Sequence, residues 1–256
     1  MLVQPTDLLA VFRQKYGDPA TTGQNPRRRY RFGYFSPEDY YEAIVEKLVT
    51  PGCRWLDVGG GRDIFPINPT LAKQLSDRCG RLVGVDPSEN IHENPYVHER
   101  TQAFIEDYQA TEPFDVLTLR MVAEHITKPQ AAVAAMAKLL KPGGQLVLYT
   151  VNKFTPVSMA AWVIPFRLHN PIKKRIWVTE EKDTFPVAYK MNTRRALHDL
   201  ATANGLTEES FAYLDDCRTF YRFKLMNYVE LLSWKMLHTV GLTYPENCLL
   251  GVYRKG

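Results

Sequence analysis

The stretch Trp55-Leu56-Asp57-Val58-Gly59-Gly60-Gly61-Arg62 sets an acid just ahead of three consecutive glycines, at the end of a short apolar run. Glycine lets the main chain reach dihedrals closed to other residues and come within contact distance of a ligand. A flat nucleoside or a phosphate requires both; a bare tight turn is the competing reading. A second acid, Asp86, closes Leu82-Val83-Gly84-Val85-Asp86. A carboxylate placed there can accept hydrogen bonds from both hydroxyls of a ribose, or it can cap the turn at Pro87-Ser88. The dinucleotide spacing G-x-G-x-x-G fails, because Gly59 and Gly61 fill the first two places and Ile64 falls on the third. Three further groups stand at the borders of other apolar runs: Glu106-Asp107, Phe114-Asp115 and Leu140-Lys141-Pro142-Gly143-Gly144.

The remaining reactive side chains point elsewhere. His92, His98, His169, His198 and His238 have no spacing suited to a metal site with Asp, Glu or Cys partners, so no metal is expected. Cys53, Cys79, Cys217 and Cys248 form no C-x-x-C pair, and no secretory signal is read ahead of them, which predicts a reduced, cytoplasmic protein. The net charge of +4 does not favour nucleic acid as a partner. A hydrophobic share of 45% with 23% charged residues is that of an ordinary globular chain, not a disordered one. The longest purely apolar run, 159–164, is far too short to span a bilayer.

The acids and glycines need strands to carry them. Apolar runs bounded by turn residues occur at 53–58, 81–85, 102–105, 115–119 and 145–151, with helical stretches between them, of which 130–140 is the clearest. Such alternation predicts a mostly parallel sheet. Ser36-Pro37-Glu38-Asp39 has the chemistry of a helix start, and that helix should run to about Val49. A helix at 192–204 ends at Gly205, and strands at 206–214 and 248–253 complete the sheet. The whole chain, 1–256, reads as one domain: an N-terminal arm (1–35) that opens with a short amphipathic helix, a core (36–152), a lid insertion (153–191), core completion (192–214 and 247–256) and a helical insertion (215–246).

Asp63 reads as a helix cap, with contact to a ligand as the alternative. The basic run Arg27 to Arg31 reads as solvated charge able to attract a carboxylate or phosphate. Phe223, Met226, Val229, Leu232 and Met236 fall at helical spacing, which suggests core packing, or else a pocket wall or a dimer face.

Taken together, the acids, glycines and the K-P-G-G turn resemble the class I S-adenosylmethionine-dependent methyltransferases, over residues 40–152 plus the last helix and two strands. The run Arg120-Met121-Val122-Ala123-Glu124-His125-Ile126 is similar to the segment that borders the methyl group in the branch acting on small molecules, quinones and lipids. The resemblance implies a Rossmann-like α/β fold: a seven-stranded, mostly parallel sheet with helices on both faces and insertions that form a substrate lid. It implies S-adenosyl-L-methionine as cofactor. Asp57, Gly59, Gly60 and Gly61 would hold its methionine end, Asp86 and Pro87 its ribose, Asp107 (or Glu106) its adenine amino group, and Arg120 would border the methyl. Asp63, where many relatives carry another glycine, and the proline-rich 64–69 depart from the family pattern and put the local loop shape in question.

The chemistry implied is in-line methyl transfer to a small or amphiphilic acceptor. His125 is the leading candidate base and Glu124 the second; a histidine that fixes the loop is the competing reading of His125. The aromatic and basic insertion at 161–175 suits an anionic amphiphile or peripheral contact with a membrane, and equally an ordinary lid. Homodimerisation is a further expectation. An NAD(P)-dependent oxidoreductase and a non-catalytic cofactor-binding scaffold remain as alternatives.

Overall fold

In the computed structural model, which describes residues 2–155 and 186–256, the apolar runs pair into a seven-stranded sheet. Its strands are β1 Arg54–Val58, β2 Arg81–Asp86, β3 Glu99–Gln102, β4 Phe114–Arg120, β5 Leu140–Val151, β6 Leu206–Leu214 and β7 Cys248–Lys255, in the order β3-β2-β1-β4-β5-β7-β6. β1 to β5 are parallel, and β7 lies antiparallel between β5 and β6. β2 and β4 both flank β1, so the chain winds away from β1 in two directions. In open α/β sheets that switch point is where a ligand crevice forms, outside the carboxyl ends of the strands.

The helices are α1 Pro5–Tyr16, α2 Gln24–Phe32, α3 Pro37–Leu48, α4 Pro69–Arg78, α5 Pro129–Leu139, α6 Arg194–Ala203 and α7 Lys224–Thr239. α3 starts where expected, with Pro37 in its first turn and with the Ser36 amide and hydroxyl both donating to Asp39. Successive strand residues point to opposite faces. Trp55, Val116 and Val147 therefore pack with Val45, Leu71 and Leu75 of α3 and α4, while Leu56, Leu117 and Leu148 pack with Val133 and Met136 of α5 and Leu197 of α6. Cover on both faces is why these strands read as continuous apolar runs.

Several expectations need correction. β3 lies three residues earlier than predicted, at the sheet edge, where its sequence Glu-Arg-Thr-Gln is half-solvated; the apolar residues that suggested a strand belong to the following turn, with Phe104 exposed and Ile105 buried. Lys141 to Gly144 do not precede β5 but lie inside it, opposite a register shift between Phe114 and Val116. Asn68, not Asp63, caps α4, accepting from the Leu71 amide, whereas the Asp63 amide closes a turn onto the Gly60 carbonyl. The insertion at 161–175 lies outside the described residues.

The basic arm is only partly solvated charge, with Arg27 and Arg31 exposed. It forms α2, and Arg28 and Arg29 are buried. Arg29 and Lys15 both pair with Asp39, at 3.3 and 2.8 Å, and Lys15 also reaches Glu42 at 2.9 Å; all four side chains are at most 4% exposed. This buried cluster joins α1, α2 and α3. The predicted apolar stripe of α7 is not core either: Phe223, Met226, Val229, Leu232 and Met236 are exposed, and Asn227, Glu230 and Leu231 face inward. The helix is placed by polar anchors, since Asn227 accepts from Arg28 and Glu230 accepts from the Thr219 amide.

Removing one partner of a buried ion pair strands the others without compensation, at a cost of about 3 to 5 kcal/mol. Asp39→Ala is accordingly expected to lower the melting temperature by roughly 10 °C, measured by calorimetry. A drop no larger than that of a surface substitution would show that the cluster does not join the arm to the core.

Candidate active site

β1 delivers Asp57 to the crevice at its last turn. The carboxylate is 3% exposed; its Oδ1 accepts from the Thr118 hydroxyl at 2.6 Å, which in turn accepts from the Trp55 indole N–H at 2.7 Å. Burial pushes Asp57 up to about 7, against the opposing pull of the Thr118 bond and the Arg120 charge. The glycines that follow are required by geometry. At Gly59, φ is +74° and a Cβ would fall 2.1 Å from Val122 Cγ2; at Gly60 it would fall 2.4 Å from Asp57 Oδ2. Only a bare main chain leaves the carboxylate open to a ligand.

β2 delivers Asp86 beside it. Its Oδ2 accepts from the Gly61 amide at 3.0 Å and its Oδ1 from the Ser88 amide at 2.7 Å, so one carboxylate ties the glycine loop to the loop after β2. Each oxygen keeps a further lone pair for a ligand hydroxyl. Burial raises Asp86 as well. Asn94, wholly buried, braces the arrangement from behind by donating to the Gly60 and Gly61 carbonyls at 3.3 and 3.2 Å. No sequence signal marks Asn94 beyond its place after β2. Among the described residues neither Asp57 nor Asp86 has an ion-pair partner within 4 Å. Two buried acids around a cradle that a methyl group would fill suit a ligand with an ammonium at one end and a ribose at the other, which is the shape of S-adenosylmethionine.

The other predicted residues divide. The Pro87 carbonyl accepts from Gln102, the β3 residue in register with Asp86. Arg120 ends β4, near enough that its charge opposes the burial that raises Asp57 and Asp63. Asp107 lies in the turn beyond β3, its amide bonded to the Phe104 carbonyl, and Glu106 faces a separate pocket walled by α5.

A second cavity, of about 560 Å³, lies where Met121 leaves β4. Met121 sits at φ +54°, an unusual conformation for a residue with a side chain, held by its amide on the Tyr149 carbonyl at 2.8 Å. Tyr16, Arg29, Tyr149, Arg218 and Tyr221 share the lining. Arg218 is fixed by both oxygens of Asp216, at 2.6 and 2.7 Å, and by Glu38. Sequence reasoning missed Arg218 and Tyr149; the run Asp215-Asp216-Cys217-Arg218 within an apolar insertion was the available clue.

His125 and Glu124 lie outside the lining described for this cavity. Glu124 is buried and accepts from the Thr150 hydroxyl at 2.8 Å, while its carbonyl accepts from the Ala188 and Tyr189 amides. His125 Nδ1 lies 3.1 Å from the Pro186 carbonyl, so this nitrogen carries the proton. Both residues hold the chain where it re-enters at 186–189. Among the described residues no cluster of His, Cys, Asp and Glu suits a metal ion.

Comparison with known proteins places this geometry. The family described as "Methyltransferase domain" matches residues 27–210. Over 126 residues the chain is 36% identical to the ubiquinone biosynthesis O-methyltransferase of Xanthomonas campestris pv. campestris, covering 47% of this chain and 52% of that protein. Against the protein of the same name from Xanthomonas oryzae pv. oryzae it is 37% identical over 131 residues, covering 49% and 53%. The chain thus spans about half the length of the curated relatives it matches. Among solved structures, the fold resembles geranyl diphosphate C-methyltransferase from Streptomyces coelicolor A3(2), with a TM-score of 0.52 at 14% identity over 86% of this chain and 76% of that one. It also resembles the cyclopropane synthase MmaA2 of Mycobacterium tuberculosis, with a TM-score of 0.51 at 17% identity over 99% of each chain. The family match covers most of the sheet and both acid-bearing loops, and the chain belongs to the methyltransferase-domain family, of the class I S-adenosylmethionine-dependent kind.

Proposed function

We propose that this protein transfers the methyl group of S-adenosylmethionine to a small, amphiphilic acceptor bound in the cavity beside Met121. One observation carries the reading: two buried carboxylates with no ion pair among the described residues, Asp57 and Asp86, share one glycine loop at the switch point of the sheet. The cofactor supplies a methyl group already activated by its sulfonium. Asp57 takes its ammonium and Asp86 its ribose hydroxyls, and the Gly59–Gly61 main chain lies against it. Pro87 packs at the ribose, the turn carrying Glu106 and Asp107 closes the adenine end, and Arg120 with Met121 forms the wall between cofactor and acceptor. What the protein adds is alignment of the acceptor behind the methyl, which can contribute roughly 7 to 11 kcal/mol.

The acceptor cavity pairs aromatic and apolar walls with two arginines whose charges are already met by Asp39, Asp216 and Glu38. This supports an acceptor with an apolar body, as does the name of the ubiquinone-pathway relatives. His125 we assign to anchoring the re-entering chain rather than to proton transfer, because of its bond to Pro186 and its place outside the cavity lining.

Calorimetry is expected to show binding of S-adenosylmethionine and S-adenosylhomocysteine and none of oxidised or reduced nicotinamide cofactors; no heat with either adenosyl compound ends the reading. Gly60→Ala, whose new methyl would displace the Asp57 carboxylate, is expected to weaken that binding about 100-fold while the circular dichroism stays native.

Affinity should depend on pH with a definite sign. Asp57 titrates at about 7 in the free protein and must be ionised to hold an ammonium. Binding should therefore strengthen about tenfold per unit as pH rises toward 7, level off above it, and release a proton below it. The same raised value means the free protein loses stability as pH rises through 7, which the cofactor restores. A flat profile, or one unchanged in Asp57→Asn, would refute this role.

His125→Ala is expected to raise KM for the acceptor and to lower kcat by far less than the roughly 100-fold or more that a general base contributes. A larger loss of kcat at unchanged cofactor affinity would make His125 the base after all.

A further inference from the structure

α2 and α7 pack side by side as one ridge. Phe32 and Tyr228 meet with ring centroids 6.2 Å apart, and Lys235 of α7 lies over the Phe32 ring. Two features of the ridge have no part in the reaction above. The first is the apolar stripe of α7. Leu225 is 77% exposed, Val229 58%, Leu232 51% and Met236 61%, at a spacing that puts all four on one side of the helix. A contiguous apolar surface of this kind on a folded protein marks an interaction site.

The second is a concavity of about 190 Å³ beside the stripe, lined by Gln24, Arg27, Arg28, Arg31, Lys224 and Tyr228. Arg28 is only 5% exposed. Its guanidinium donates to Asn227 Oδ1 at 3.1 Å and to the Tyr221 carbonyl at 3.2 Å. Among the described residues none of these four cations has a carboxylate within 4 Å. Of the four, Arg28 alone is buried; buried charge is ordinarily paired, and Arg28 meets neutral oxygens, so the concavity favours an anion. The forked donors of arginine suit a phosphate.

Within the ridge itself the charge has one sign, although Asp215 meets α7 from outside it at Trp234 and His238. The only acid from Gln24 to Gly33 or from Phe220 to Leu242 is Glu230, which is buried and faces inward. A second copy docking through the same face would set these cations against each other, as the symmetry of such a dimer requires.

We infer that the α2–α7 ridge docks the protein on a membrane surface bearing anionic phospholipid, with a headgroup phosphate in the Arg27–Arg28–Arg31–Lys224 concavity and the α7 stripe among the upper acyl chains. Lysines at the edge of an apolar helix face, with stems along the lipid and ammonium groups at the headgroups, are the arrangement of interfacial helices. No helix among the described residues is long and apolar enough to cross the bilayer, so the contact is peripheral. The ridge also forms the rim of the acceptor cavity, which Asn25, Pro26 and Tyr221 line. Docking would present that cavity to molecules held in the lipid surface. In this respect the inference deepens the reading of an amphiphilic acceptor, and its purpose rests on that reading.

The test is co-sedimentation of the full chain with phosphatidylcholine vesicles, with and without phosphatidylglycerol, at low and high salt, alongside light scattering and cofactor calorimetry. The wild-type protein is expected to bind only the anionic vesicles and to be released by salt. Arg27→Ala and Arg31→Ala should each weaken binding roughly fivefold, and Val229→Glu with Met236→Glu should abolish it. Calorimetry with S-adenosylhomocysteine should be the same in every variant, so a failure of docking is distinguishable from a failure of the proposed reaction. No sedimentation at low salt would overturn the inference, as would sedimentation that the α7 substitutions leave intact. So would a dimer that those substitutions split, which would assign the stripe to a second copy.

Discussion

Two acids are kept buried at neighbouring strand ends with no ion-pair partner among the described residues, and much of the molecule is arranged to tolerate this. Asp57 and Asp86 are drawn toward protonation by their burial, and the fold offsets that cost chiefly with directed hydrogen bonds, the Arg120 charge adding a smaller pull at Asp57. The chain Trp55 to Thr118 to Asp57 runs across the face of β1 and β4, and the amides of Gly61 and Ser88 close on Asp86. A salt bridge at either position would have stabilised the empty site and blocked it. On the proposed function, an unpaired buried acid of this kind would favour a cationic ligand, because the ligand would complete an interaction the protein leaves open.

The glycine loop is the mechanical counterpart of that electrostatics. Gly60 carries no Cβ because the space is occupied by the Asp57 carboxylate, and Gly59 none because Val122 is packed against it. Val122 belongs to the segment that continues through Met121 to the acceptor cavity. Glycine loop and cavity wall therefore share one van der Waals contact, and on the proposed function packing between β1 and β4 would set the position of the methyl relative to the acceptor.

What could be read in the sequence follows the physics of each region. The parallel core was legible because strands buried on both faces leave long apolar runs, and Asp57, the glycines and Asp86 were legible because they stand at the ends of those runs. β3 was misplaced because an edge strand is half-solvated and the apolar Ala103-Phe104-Ile105 beside it mimics a strand better than Glu99-Arg100-Thr101-Gln102 does. Asp63 looked like a cap because sequence shows a proline nearby but not which of several polar residues, here Asn68, reaches the free amides. The burial of Arg28 and Arg29 was invisible because their partners, Asn227 and Asp39, are supplied by other elements. Asn94 was missed for the same reason, and Arg218 in part, since Glu38 on α3 also holds it.

α7 shows where periodicity misleads. An apolar stripe at helical spacing predicts which residues share a face, and that part of the expectation held. It does not say which way the face points. The direction is decided by the opposite side of the helix, where Asn227, Glu230 and Trp234 find buried partners in Arg28, the Thr219 amide and Asp215. Those polar contacts are directional and would be costly to leave unmade, whereas an apolar side chain loses only its burial when turned outward. A helix carrying both kinds of face settles with its polar side satisfied inside. Its apolar side is then left facing outward, and it is on that surface that the inferred membrane contact rests.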